Sequence, residues 1–111
     1  MTPRFVGNQG NELEMISYGP LTLDVANYKL AGEKRLEYLT IVQARLLAVL
    51  MHEPNRVHSI AALSCIEPDT PMTVTALKVR MSRLRQCLSR LGCGDQYLHS
   101  VRNVGYIFDP N

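Results

Sequence analysis

Lys78, Arg80, Arg83, Arg85 and Arg90 lie close together in the chain, and no Asp or Glu occurs from residue 70 to residue 94, which gives this stretch a local charge of +5. Cations of one sign at this density have a definite chemistry. Lys and Arg donate charge-assisted hydrogen bonds to phosphate oxygens and release the counterions condensed on a polyanion. A solvated basic helix face is the ordinary alternative, but surface helices usually mix charge signs for i,i+4 pairing. Removing every acid raises self-repulsion unless a polyanion is the partner. A second cationic feature follows in Val101-Arg102-Asn103-Val104-Gly105-Tyr106-Ile107-Phe108, where one arginine sits beside a Gly-containing turn between apolar residues.

The residues of catalysis are missing from the sequence. It has no paired carboxylates, no Ser-His-Asp order and no Gly-rich phosphate loop, and His99 beside Ser100 lacks any further pattern supporting a nucleophile. An enzyme is therefore not expected. Cys65, Cys87 and Cys93 form no CxxC pair, and His52, His58 and His99 are far apart, so neither a metal site nor a cofactor is expected. The odd cysteine count, and the lack of a leading apolar segment of signal or membrane-spanning length, point to a cytoplasmic chain with reduced thiols and no membrane partner. Cys87, next to Leu88, is expected to be a packed thiol.

The helix that must carry the cations can be read from its apolar spacing. Leu77, Met81, Leu84, Leu88 and Leu91 recur at intervals of four, three, four and three and should face inward on a helix running from Met72 to Leu91. Thr75, Val79, Ser82 and Gln86 then point directly away from that stripe. Lys78 and Arg85 lie on one flank, Arg83 and Arg90 on the other, and Arg80 nearer the core edge.

At 111 residues and 46% hydrophobic content the chain is expected to be one domain with a compact core. Its net charge of +2 hides a division. Residues 1–69 hold six Lys/Arg against eight Asp/Glu, and residues 70–111 hold six against two, so the carboxyl-terminal part is the cationic end.

Residues 1–14 contain two Gly, two Asn and a Pro without periodicity and read as a flexible arm, with the folded domain at 15–111. From Met15 to Leu39 short apolar runs alternate with turns at Gly19-Pro20, Asp24 to Asn27 and Gly32, the pattern of three or four short antiparallel strands. Thr40 and Gln43 form a capping box that opens a first helix, which Pro54-Asn55 ends. Ser59 can cap a short second helix from Ile60 to about Cys65, before Pro68 and Pro71 enforce a loop. The basic helix ends near Gly92-Cys93-Gly94, and Tyr97–Ser100 and Gly105–Phe108 make a hairpin around Arg102-Asn103-Val104. Tyr106 and Phe108 should anchor that hairpin on the core.

This order is an α+β fold: an N-terminal antiparallel sheet, three helices and a C-terminal β-hairpin. With Tyr18-Gly19-Pro20-Leu21-Thr22-Leu23-Asp24, the Leu39-Thr40 helix start, Ser82-Arg83-Leu84-Arg85-Gln86-Cys87-Leu88 and the Val101–Phe108 segment, it resembles the OmpR/PhoB-type winged helix-turn-helix effector domain of bacterial response regulators over about residues 15–109. The resemblance implies double-stranded DNA as partner, with the third helix in the major groove and the wing arginine in the minor groove. It implies base reading by Thr75, Ala76, Lys78, Val79 and Ser82, phosphate contacts from Arg83 and Ser100, and minor-groove insertion of Arg102. Arg80 and Arg85 either join the phosphate contacts or are solvated or ion-paired. Val79 either meets a thymine methyl or is simply exposed.

The chain also departs from that family. It has no Trp, and its Ile66-Glu67-Pro68-Asp69-Thr70-Pro71 loop is short and acidic, unlike the longer loop with which relatives contact RNA polymerase. Lys78 stands where many relatives carry an acid, Asn103 replaces the usual wing glycine, and Ile107 replaces a common arginine. Fourteen residues cannot house a receiver domain, so control without an attached receiver is expected if the 111 residues are the whole protein; the alternative is a domain excised from a longer chain. Self-association as a homodimer on tandem half-sites is what the family suggests. The competing reading is a winged-helix interaction module that binds another regulator or RNA polymerase instead of DNA.

Overall fold

The computed structural model describes residues 4–7, 14–92 and 97–110. The chain opens with an antiparallel sheet of five strands in sequential order: β1 (Arg4–Gly7), β2 (Glu14–Tyr18), β3 (Leu21–Asp24), β4 (Lys29–Ala31) and β5 (Leu36–Tyr38). The alternation read in the sequence sets its two faces. Ile16, Tyr18, Leu21, Leu23 and Leu30 are buried, and the other residues of β2, β3 and β4 are half-exposed. Asp24 turns the chain into β4 by accepting from the Asn27 backbone and side-chain nitrogens at 3.2 and 2.9 Å.

The structure changes the reading of the amino-terminal segment. Arg4–Gly7, read as part of an arm without regular structure, pairs with β2 from Arg4↔Ser17 to Gly7↔Glu14. The sheet thus begins before the expected boundary at residue 15 and has five strands. The remainder of the segment, residues 1–3 and 8–13, lies outside the described residues.

Helix α1 (Ile41–His52) starts on the capping box. The Gln43 amide donates to Thr40 Oγ1 at 3.1 Å, and the Thr40 amide donates to Gln43 Oε1 at 2.9 Å. At its other end the buried Tyr18 hydroxyl donates to the Met51 carbonyl at 2.9 Å, satisfying one of the acceptors that a helix terminus leaves open. Burial pushes the Tyr18 phenol above its usual range. Strand β6 (Val57–Ser59) follows α1, and Ser59 caps α2 (Ile60–Ser64) by accepting from the Ala62 amide at 3.0 Å.

The basic helix α3 runs Val74–Arg90, two residues shorter at its start than the apolar spacing suggested. Thr73 is its N-cap, accepting from the Ala76 amide at 3.1 Å, so the helix cannot begin at Met72. All five residues of the inward stripe, Leu77 through Leu91, are buried. Gly92 follows with a φ of +89°, the left-handed geometry that ends a helix; Cys93 and Gly94 lie outside the described residues.

Cys87 is buried on α3, where Arg90 donates to its Sγ at 3.2 Å. Burial raises the thiol's pKa, and the Arg90 charge offsets part of that rise. Only the thiolate is an effective nucleophile. Alkylation of the native protein, followed by peptide mapping, should therefore modify the exposed Cys65 well before Cys87. Equal rates would show that α3 opens readily at its carboxyl-terminal end.

Strands β7 (Leu98–Val101) and β8 (Gly105–Phe108) form the expected hairpin, but β8 is a central strand. It pairs with β7 on one side and with β6 on the other, from Val57↔Ile107 to Ser59↔Gly105. Phe108 is fully buried, its ring centroid 5.3 Å from Tyr18 and 5.6 Å from Tyr97, and Tyr106 is also buried. The wing is thus joined to the first sheet through an aromatic cluster, and the α+β winged helix-turn-helix architecture is present in full.

Candidate nucleic-acid interface

Two elements carry the cationic residues, and the packing of α3 decides which of them face solvent. Burial of the Leu/Met stripe leaves Thr75, Lys78, Val79, Ser82, Arg83 and Gln86 exposed on the opposite side, where they line a shallow recess of about 340 Å³. Val79 is 43% exposed, a large apolar side chain left in water at the centre of a polar face. Such a side chain is available to an apolar group such as a thymine methyl.

The wing supplies the second wall. Lys78 and Arg85 from α3 meet Ser100, Arg102 and Asn103 from the hairpin across an open cleft of about 530 Å³, with Ile60, Gly105 and Tyr106 also lining it. The hairpin turn that carries Arg102 places Asn103 at a φ of +63°. Asn tolerates this left-handed conformation through local hydrogen bonding, so it can occupy the position without a glycine. The Val104 amide donates to the Val101 carbonyl at 2.9 Å and the Ile60 amide donates to the Val104 carbonyl at 3.0 Å. These bonds fix the turn to the start of α2.

Seven of the ten residues expected in the interface therefore lie on the exposed face of α3 or on the exposed wing, and Arg85 reaches the same cleft half-buried. Val79 lies among them. Ala76 and Arg80 are half-buried and line neither opening. Lys78, Arg80, Arg83 and Arg102 make no ion pair among the described residues. Arg90 differs. It donates to Glu37 Oε1 through Nε at 3.1 Å and through a terminal nitrogen at 2.9 Å, tying the end of α3 to β5. Sequence reasoning could not see this pairing, because 53 residues separate the partners.

Among the described residues no cluster of His, Cys, Asp and Glu could hold a metal ion, and no helix is long and apolar enough to cross a membrane. A sequence comparison with curated proteins returned no match. The family described as "Transcriptional regulatory protein, C terminal" matches residues 34–108, more than half of the chain. The chain belongs to that family. As an OmpR/PhoB-type DNA-binding domain it serves transcription regulation and is not an enzyme.

Solved structures of the family share the fold. The C-terminal domain of the nisin resistance regulator NsrR, a lantibiotic response regulator, is 29% identical, with a TM-score of 0.71 over 83% of this chain and 93% of that one. The Klebsiella pneumoniae RstA DNA-binding domain, solved in complex with the RstA box, is 25% identical, with a TM-score of 0.74 over 87% of this chain and 98% of its own. The DNA-binding domain of CpxR from E. coli, at 22% identity, has the same fold, with a TM-score of 0.72 over 86% of this chain and 95% of its own. In this OmpR/PhoB-type domain Lys78 and Asn103 both line the cleft between α3 and the wing.

Proposed function

We propose that this domain binds double-stranded DNA sequence-specifically, with α3 in the major groove and Arg102 in the adjacent minor groove, and so regulates bacterial transcription. The observation that carries this reading is the cleft: two cations of α3 and the Ser100 hydroxyl and Arg102 guanidinium of the wing converge on one opening. No Asp or Glu among the described residues lines this opening, and cations gathered without acids suit a polyanion whose condensed counterions they release. An α-helix with its side chains is about 10–12 Å across, which suits a major groove of about 12 Å.

Each residue then has a role set by its chemistry. Lys78 donates to guanine O6 or N7, Thr75 and Ser82 exchange hydrogen bonds with base edges, and Val79 and Ala76 offer apolar contact to thymine methyls. Arg83, Arg85 and Ser100 hold phosphates, joined by Arg80 at the edge of the face. The Arg102 guanidinium suits the negative potential of a narrow A·T minor groove. The RstA domain's complex with the RstA box supports the reading by analogy of fold.

Salt dependence and base preference test these roles separately. Arg83→Ala should weaken binding to all duplexes nearly uniformly and flatten the plot of log K against log[salt] by about one ion. Lys78→Ala should instead change base preference at one position, by about 1–3 kcal/mol. The opposite pattern, with specificity altered by Arg83→Ala and untouched by Lys78→Ala, would reverse the two assignments. Weak and salt-insensitive DNA binding by correctly folded protein would favour an interaction module that engages RNA polymerase or another regulator. Recovery of paired half-sites about one helical turn apart would identify a tandem homodimer as the bound form.

A further inference from the structure

The outward stripe of α3 continues past the residues assigned above. Gln86 follows Thr75, Val79 and Ser82 at the same four-three-four spacing and is exposed. It lines both the recess that holds Thr75, Lys78, Val79, Ser82 and Arg83 and the neighbouring one formed with Ser82, Arg85 and Ser89. One turn further on, Arg90 is engaged by Glu37. Gln86 is therefore the last long polar side chain at the centre of the stripe.

Its chemistry differs from that of its neighbours. Lys78 only donates, and Thr75 and Ser82 each present a single hydroxyl, whereas a carboxamide sets an acceptor beside a two-hydrogen donor in one plane. That pair matches the N6 donor and N7 acceptor that adenine shows in the major groove, and Gln is one of the two side chains that pair with adenine in this bidentate manner. A phosphate contact is the simpler use of an exposed glutamine. Geometry argues against it. Arg83 and Arg85 stand roughly 60° and 100° to either side of Gln86 around the helix. In a helix lying in a groove, the flanks meet the two backbones and the central stripe meets the base edges.

We propose that Gln86 is a specificity-determining residue of this interface and reads adenine. The proposal rests on the DNA-binding reading above, and its test separates the two. Wild-type protein, Gln86→Ala and Gln86→Glu would each be used to select bound duplexes from a random library, with circular dichroism to verify that all three are folded. The wild-type motif should contain an invariant A·T pair at one end of the half-site. Gln86→Ala should lose preference at that position alone, binding the selected duplex roughly 5- to 150-fold more weakly while binding a scrambled duplex as before. Gln86→Glu, which can only accept, should shift the preference toward cytosine, whose N4 donates.

An identical motif from all three proteins would overturn the assignment of Gln86 while leaving DNA recognition intact. Equal weakening of the selected and the scrambled duplex by Gln86→Ala would overturn it as well, by making Gln86 a phosphate contact. No enrichment from folded wild-type protein would remove the DNA-binding reading and this proposal together.

Discussion

Leu84→Ala should lower the free energy of unfolding by about 2–5 kcal/mol, the cost of lost transfer energy and of the cavity left behind. Leu84 is fully buried at the middle of the inward stripe, on the one helix that packs against both α1 and α2. Collapse around the missing side chain would have to shift all three helices, which is why the upper part of that range is expected. Urea titration measures the effect as a lower midpoint with an unchanged slope. A loss below about 1 kcal/mol would mean that this part of the core relaxes freely around the missing side chain. Retention of the DNA sequence preference by the remaining folded protein would show that Leu84 acts through stability alone.

Gly105→Ala should cost about 3 kcal/mol or more and should also weaken the wing as a binding element. A Cβ at position 105 would lie 1.8 Å from the His58 carbonyl oxygen, 2.7 Å from its carbonyl carbon and 3.0 Å from the Ser59 Cα. All three are backbone atoms, so no side-chain rotation relieves the clash and β6 has to move away from β8. Gly92→Ala provides the comparison. Nothing lies within 4 Å of a Cβ there, and the cost is confined to left-handed backbone strain at φ +89°, about 1–2 kcal/mol. Thermal or urea denaturation of the two variants should rank Gly105→Ala as clearly the more harmful. Equal losses would show that the β6–β8 contact yields and that its strand pairing contributes little.

The parts of this fold that were legible in the sequence are those set by local chemistry. The Thr40 and Gln43 reciprocal cap, the Ser59 cap, the Gly19 turn and the four-three repeat of α3 each depend on residues within one or two turns of one another, and each is present. The segments read differently depend on distant partners. Val57-His58-Ser59 is too short to show an alternating pattern, and it becomes a strand because β8 lies beside it. Arg4–Gly7 becomes one because β2 offers an edge. The interface divides in the same way. Helical spacing alone put Thr75, Lys78 and Ser82 on the outer face, whereas the cleft that joins Lys78 and Arg85 to Ser100 and Arg102, and the withdrawal of Arg90 by Glu37, arise only from tertiary packing.

The central position of β8 makes the domain a caliper of fixed gauge. One jaw is α3, whose cap at Thr73 ends the loop that begins just after α2; the other is the turn carrying Arg102, which hydrogen-bonds to the first residue of α2. Both jaws are tied to the same short helix and β8 is paired on both sides, so the gap between them should vary little. Under the proposed binding mode, adaptation then falls to the duplex. Base steps that let the minor groove narrow or the helix axis bend would be favoured even where no side chain touches them, and flexible sequence between the two contacts would contribute to selectivity as strain avoided.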